Sequence, residues 1–114
     1  MDANPINEIA DEVVQSVFAK KLPQVTVYDK RNRPVGDYKF LLYVGENERP
    51  HVHVKDTNGN VAKFWIDDCS FNRAGSHGFN PSEKAEIQHL VQLNREILLR
   101  EWNRIEALRK NEKV

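Results

Sequence analysis

The chain has 114 residues, in which 17 basic and 17 acidic residues cancel, so no net charge draws the whole molecule onto nucleic acid or an anionic membrane. Its length predicts a single domain over residues 1–114. Its lone cysteine, Cys69, rules out an internal disulfide and points to a reducing, cytoplasmic setting. No run approaches the roughly 20 apolar residues that span a bilayer, and no basic-then-apolar leader opens the chain, so no membrane association is expected.

Asn4-Pro5 supplies an N-cap and a first-turn proline for a helix. Ile6, Ile9, Val13 and Val17, with Val14 and Phe18 beside them, share one helical stripe that Pro23 ends. The first nineteen residues are acidic and the next twenty basic, a block pattern that mostly marks solvated surface. Val25 to Tyr28 alternates and is β-branched, which predicts a strand. A polar turn over Asp29 to Pro34 leads to a second, largely apolar strand from Tyr38 to Val44. Two further strands, His51 to Asp56 and Val61 to Asp67, flank Thr57-Asn-Gly-Asn60, the strongest turn signal in the chain.

Residues 68–80 show no period and are expected to form a connection, with Arg73 to Gly78 its flexible centre. Asn80-Pro81-Ser82-Glu83 then carries a helix start with glutamate at the third position, a capping-box variant. Apolar residues from Ile87 to Leu108 keep helical spacing, which predicts one helix about 40 Å long whose last turns project from the sheet. The element order is α-β-β-β-β-α. The predicted fold is α+β: a two-layer sandwich with a four-stranded antiparallel sheet and both helices on one face.

Strand parity makes the central hairpin legible. Val52 and Val54 point one way; His51, His53 and Lys55 point the other. On the return strand Ala62, Phe64 and Ile66 oppose Lys63, Trp65 and Asp67. The apolar sets must share a face, which requires an odd-length turn. A three-residue turn at Asn58-Gly59-Asn60, or a bulge there, would pair Val54 with Phe64, Val52 with Ile66, His53 with Trp65 and His51 with Asp67. The second face then carries both histidines, Lys55, Lys63, Trp65 and Asp67, with Tyr43 joining from the neighbouring strand. Such a surface suits recognition of a partner, because exposed aromatics fill partner pockets or stack on bases.

Three chemistries fit these residue types. His51-x-His53 could seed a metal site with Asp67 or Cys69, but the spacing specifies no third ligand and no metal is expected. A histidine oriented by Asp67, with Arg49 or Lys63 stabilising charge, could cleave RNA through its own 2′-hydroxyl without a metal. The catalytic candidates on that reading are His51, His53, Lys63 and Asp67; the spacing leaves open whether the chain is an enzyme. As a binding surface, the same region comprises Tyr43, Arg49, His51, His53, Lys55, Lys63 and Trp65. His77 in the connection and His89 on the solvated side of the helix are weaker candidates, and Cys69 is expected as a small buried hydrophobe. No glycine-rich phosphate loop or dinucleotide fingerprint occurs, so no cofactor is expected. The mixed charges on the last helix, including Arg95, Arg100 and Arg104 with Glu96 and Glu101, predict a solvated face held by local ion pairs.

Glu48-Arg-Pro-His-Val-His-Val54, then Ala62-Lys-Phe-Trp-Ile-Asp67, then a helix running through Leu98 to Trp102-Asn103, together resemble the bacterial family called domain of unknown function 4160. The resemblance covers roughly residues 38–103. This chain departs from the pattern by a helix before the first strand and a longer 68–80 connection. The resemblance implies a small protein partner encoded by a neighbouring gene, in a toxin–antitoxin-like pair, with RNA as a further target. It carries over the motif positions His51, His53, Trp65, Asp67 and Trp102, but no catalytic role for any of them.

Overall fold

A computed structural model describes residues 24–112 of the chain. Five strands, β1 (Gln24–Val25), β2 (Lys39–Leu41), β3 (His51–Lys55), β4 (Val61–Trp65) and β5 (Phe71–His77), form one antiparallel sheet in sequence order. Two helices follow, α1 (Pro81–Leu93) and α2 (Arg95–Glu112). The class is therefore α+β, with a fifth strand where a structureless connection is predicted. The helix predicted before Pro23 lies outside the described residues.

Short polar turns set the sheet. Asp29 accepts hydrogen bonds from the Arg31 and Arg33 amides, each at 2.9 Å, and Asn32 takes the left-handed conformation, so the chain folds back to pair Tyr28 with Pro34. At the β3–β4 turn the Asp56 carboxylate accepts from the Asn58 and Asn60 amides, and the Asp56 amide donates to the Asn60 carbonyl. Gly59 sits at φ +88°. This is a three-residue turn, Thr57-Asn58-Gly59, with glycine at the left-handed position. The expected turn length holds, but its centre lies one residue earlier, and that moves the register by two. His51 pairs with Trp65, Val52 with Phe64, His53 with Lys63 and Val54 with Ala62. A two-residue slip preserves parity, so the valines still face inward and the histidines outward.

Beyond β4, the Asp68 carboxylate accepts from the Ser70 amide and hydroxyl, while Cys69 adopts φ +62°. The chain reverses there and β5 pairs with β4, stacking Phe71 edge-on against Phe64 with ring centres 5.5 Å apart. The core lies between the inward sheet face and the helices. Phe40, Val52, Val54, Ala62, Phe64 and Ile66 meet Ile87, Val91, Leu98 and Trp102, all at most 1 % exposed. Each large apolar side chain so buried contributes about 1.5–3 kcal/mol.

Helix α1 starts as its sequence predicts: Asn80 accepts from the Glu83 amide and Glu83 accepts from the Asn80 amide, a complete capping box. The single long helix does not persist. Asn94 leaves the helical conformation at φ −107°, ψ 17°, and its buried side chain bonds the first hairpin instead: Oδ1 accepts from the Tyr28 amide and Nδ2 donates to the Tyr28 and Leu90 carbonyls. Apolar spacing runs through this position unbroken, because the break comes from side-chain hydrogen bonding rather than from loss of a hydrophobic stripe. Helix α2 places Leu98 and Trp102 in the core, but Leu108 near its end is half exposed. No helix among the described residues is long and apolar enough to cross a membrane.

Candidate functional site

Parity places His51, His53 and Lys55 of β3 on one face with Lys63 and Trp65 of β4. His51 points away from the valine face, yet it is only 6 % exposed. Helix α2 brings the Trp102 ring to 5.1 Å from the His51 ring, while Trp65 lies at 6.0 Å and His53 at 5.2 Å. The face is thus partly closed at its His51 end. His51 Nδ1 lies 2.9 Å from the Arg49 carbonyl oxygen. A carbonyl only accepts, so the proton in that bond is assigned to Nδ1.

His53 is half-buried, with Tyr43 edge-on at 5.1 Å and Lys63 directly across the ladder. Its Nδ1 is buried and makes no hydrogen bond among the described residues. Burial, followed by the nearby His51, Lys63 and Lys55, pushes the ring pKa down to about 4. The imidazole is therefore uncharged at neutral pH.

Asp67 does not orient a histidine. It accepts two hydrogen bonds from Arg49, from Nε and from Nη2, each at 2.9 Å, and Asp68 adds a third carboxylate oxygen at 3.4 Å from Nη2. The two-point Arg49 bond holds the Asp67 carboxyl below the usual carboxylate range. The paired guanidinium lies over Trp65, its central carbon 4.3 Å from the ring centre, and Lys63 Nζ approaches the same ring at 4.8 Å. A half-buried indole flanked by two cations is the centre of the site. Lys55 shares this face but pairs with Lys39 and Val61, roughly 13 Å along β3 from His51 at about 3.3 Å per residue.

The remaining candidates do not join this cluster. Cys69 is buried beneath the turn, its thiol pushed up by burial and 3.8 Å from the Ile66 carbonyl. His77 lies at the end of β5 and His89 on the exposed side of α1. Among the described residues no three His, Cys, Asp or Glu side chains gather as a metal ion requires. Sequence reasoning missed a pocket of about 260 Å³ beside β5, lined by Arg73, Ser76, His77 and Lys84 over Val61, Phe71 and Phe79. Only Gly75 and Gly78 hinted at irregular backbone there.

Fold and site together define a small α+β domain with an aromatic and cationic cluster on the outer sheet face. The model of one protein family, described as Domain of unknown function (DUF4160), matches residues 37–103, more than half of the chain, and the chain belongs to that family. The matched span takes in β2 through the first half of α2, and with it Tyr43, Arg49, His51, His53, Lys63, Trp65, Asp67 and Trp102. Neither the curated proteins nor the solved structures yielded a match.

Proposed function

We propose that the domain is a protein-interaction module whose recognition surface is centred on Trp65, with Arg49 and Lys63 beside it and Tyr43 and His53 at its margin. The observation that carries this reading is the half-buried indole with a guanidinium 4.3 Å and an ammonium 4.8 Å from its ring centre. Tryptophan, tyrosine and arginine dominate binding energy at protein interfaces, and they do so where neighbours hold them rigid and partly dry. Arg49 is fixed by Asp67, and Trp65 by both cations, so little side-chain freedom remains to be lost on binding. The partner we propose is a small protein encoded by a neighbouring gene, in a toxin–antitoxin-like pair, as the resemblance noted from the sequence implies.

The alternative, metal-independent RNA cleavage, needs a histidine that exchanges a proton near neutral pH and a carboxylate to orient it. His53 is held uncharged, His51 is enclosed by Trp102, and Asp67 is committed to Arg49, so the geometry favours binding over catalysis. Calorimetric titration with the neighbour-encoded protein tests the proposal. Trp65→Ala should weaken association by more than about 2 kcal/mol, roughly 30-fold, while the fold survives. Unchanged affinity in that variant, or RNA cleavage by the purified chain that is lost in His51→Ala, overturns it.

A further inference from the structure

Strand β5 leaves the ladder halfway along. Asn72 pairs with Lys63 and His77 with Val61, so five steps on β5 match two on β4 and Arg73, Ala74 and Gly75 bulge outward. The bulge is stitched by side chains. Ser76 Oγ accepts the Lys63 amide and donates to the Asn72 carbonyl, Asn72 Oδ1 accepts the Ala74 amide, and Gly75 takes φ +95°. Bulges of this kind re-aim side chains and recur beside binding sites.

Here the bulge opens the pocket of about 260 Å³ between β5 and the first turn of α1. Its floor is Val61, Phe71 and Phe79, and its rim carries Arg73, His77 and Lys84. Lys84 Nζ is held 4.9 Å over the Phe71 ring rather than ranging through solvent. Among the described residues no carboxylate lines the pocket. The nearest acids on α1 are engaged elsewhere: Glu83 caps the helix, and Glu86 accepts from the Tyr38 hydroxyl. Neither Arg73 nor Lys84 has an ion-pair partner among the described residues, so the rim is an uncompensated cationic arc over an apolar floor.

We propose that this pocket binds a small phosphomonoester, its phosphate on Arg73, His77 and Lys84 and its organic body against Phe71 and Phe79. Two permanent cations and an imidazole match a doubly charged phosphate better than a singly charged carboxylate, and arginine presents the planar fork that phosphate oxygens fit. The pocket volume is several times the roughly 30 Å³ that one water takes up, which leaves room for more than a bare inorganic ion. It lies somewhat below the range of drug-sized sites, which limits the body to about one ring.

Amide chemical shifts of Ala74, Ser76 and Gly78 during titration with phenyl phosphate, inorganic phosphate and benzyl alcohol test the assignment. Phenyl phosphate should saturate the shifts at millimolar concentration or below and bind at least about tenfold more tightly than inorganic phosphate, with benzyl alcohol weaker still. Arg73→Gln and Lys84→Gln should each weaken phenyl phosphate about tenfold or more, with far-UV circular dichroism unchanged. Arg73 is exposed, so its variant leaves the core intact and keeps the test valid if Lys84→Gln perturbs packing. Absence of shifts, shifts undiminished in Arg73→Gln, or inorganic phosphate binding as tightly as phenyl phosphate overturns the proposal.

Discussion

Arg49 grips Asp67 at two points, Nε to Oδ2 and Nη2 to Oδ1, both at 2.9 Å, and in doing so lays its guanidinium over Trp65. The pair closes the open end of the β3–β4 hairpin, eighteen residues apart in sequence. Its role is positional more than energetic. The two side chains are 44 % and 46 % exposed, and exposed ion pairs contribute at most about 1 kcal/mol.

Arg49→Lys should therefore leave the urea midpoint nearly unchanged, within about 1 kcal/mol of the parent. Lysine keeps the charge but loses the fork and the planar group that lies over the indole. The Trp65 indole N–H resonance should shift, and affinity for the protein partner should fall about tenfold or more. A variant with parental affinity shows that the stacked guanidinium does not preorganise Trp65.

His53 makes stability depend on pH in a defined window. Its folded pKa, about 4, lies below the ordinary 6.5, so the unfolded chain binds the extra proton first as pH falls. Stability from the neutral ring is fully present above about pH 6.5 and is lost progressively down to about pH 4. Because the ring is only half-buried, solvent screening discounts the nominal shift to about 1–2 kcal/mol. The Asp67 and Asp68 carboxyls, held low by Arg49 and by Ser70 respectively, lose their contribution only further into acid, below their ordinary values. Urea unfolding at pH 7 and pH 4.5 should show this loss in the parent and little of it in His53→Phe. That variant also removes the unpartnered Nδ1 and should be no less stable at pH 7.

The faces of the hairpin were legible because parity depends only on alternation, and Val52, Val54, Phe64 and Ile66 alternate without exception. Register was not, since it turns on which residue takes the left-handed position, and Asn58, Gly59 and Asn60 all tolerate it. The Asp56 side chain decides, by bonding both the Asn58 and Asn60 amides. Strand β5 was hidden because its residues are polar, mostly exposed and interrupted by the bulge, so neither alternation nor an apolar run marks it. The burial of His51 was equally hidden: it depends on where α2 sets Trp102 after the break at Asn94, a geometry that no local pattern encodes.

Gly59→Ala tests the register argument. Space is open around the position, so the cost comes only from forcing an L side chain to φ +88°, about 1–2 kcal/mol. Gly59→Asn should recover part of it, because asparagine visits this conformation more readily. Thermal unfolding of the two variants gives the comparison, and an alanine variant as stable as the parent places the turn elsewhere.

Asn94→Ala should be among the most damaging substitutions in the described chain. The residue is 2 % exposed, and its side chain satisfies the Tyr28 amide and carbonyl as well as the Leu90 carbonyl. Alanine leaves the Tyr28 amide and carbonyl without this partner, while the Leu90 carbonyl keeps the backbone amide of residue 94; at about 1–3 kcal/mol for each unpaired group, the loss is about 2–4 kcal/mol after partial relaxation. Asn94→Asp separates hydrogen bonding from volume. The isosteric carboxylate can still accept from the Tyr28 amide but cannot donate, so it faces two carbonyl oxygens with a buried negative charge. It should be at least as destabilising as alanine at pH 7 and recover partly in mild acid, where a protonated carboxyl can donate to one of the carbonyls. Urea denaturation of both variants at pH 7 and pH 5 checks the order. Near-parental stability of Asn94→Asp at pH 7 means that this side chain only fills space between the helices and the first hairpin.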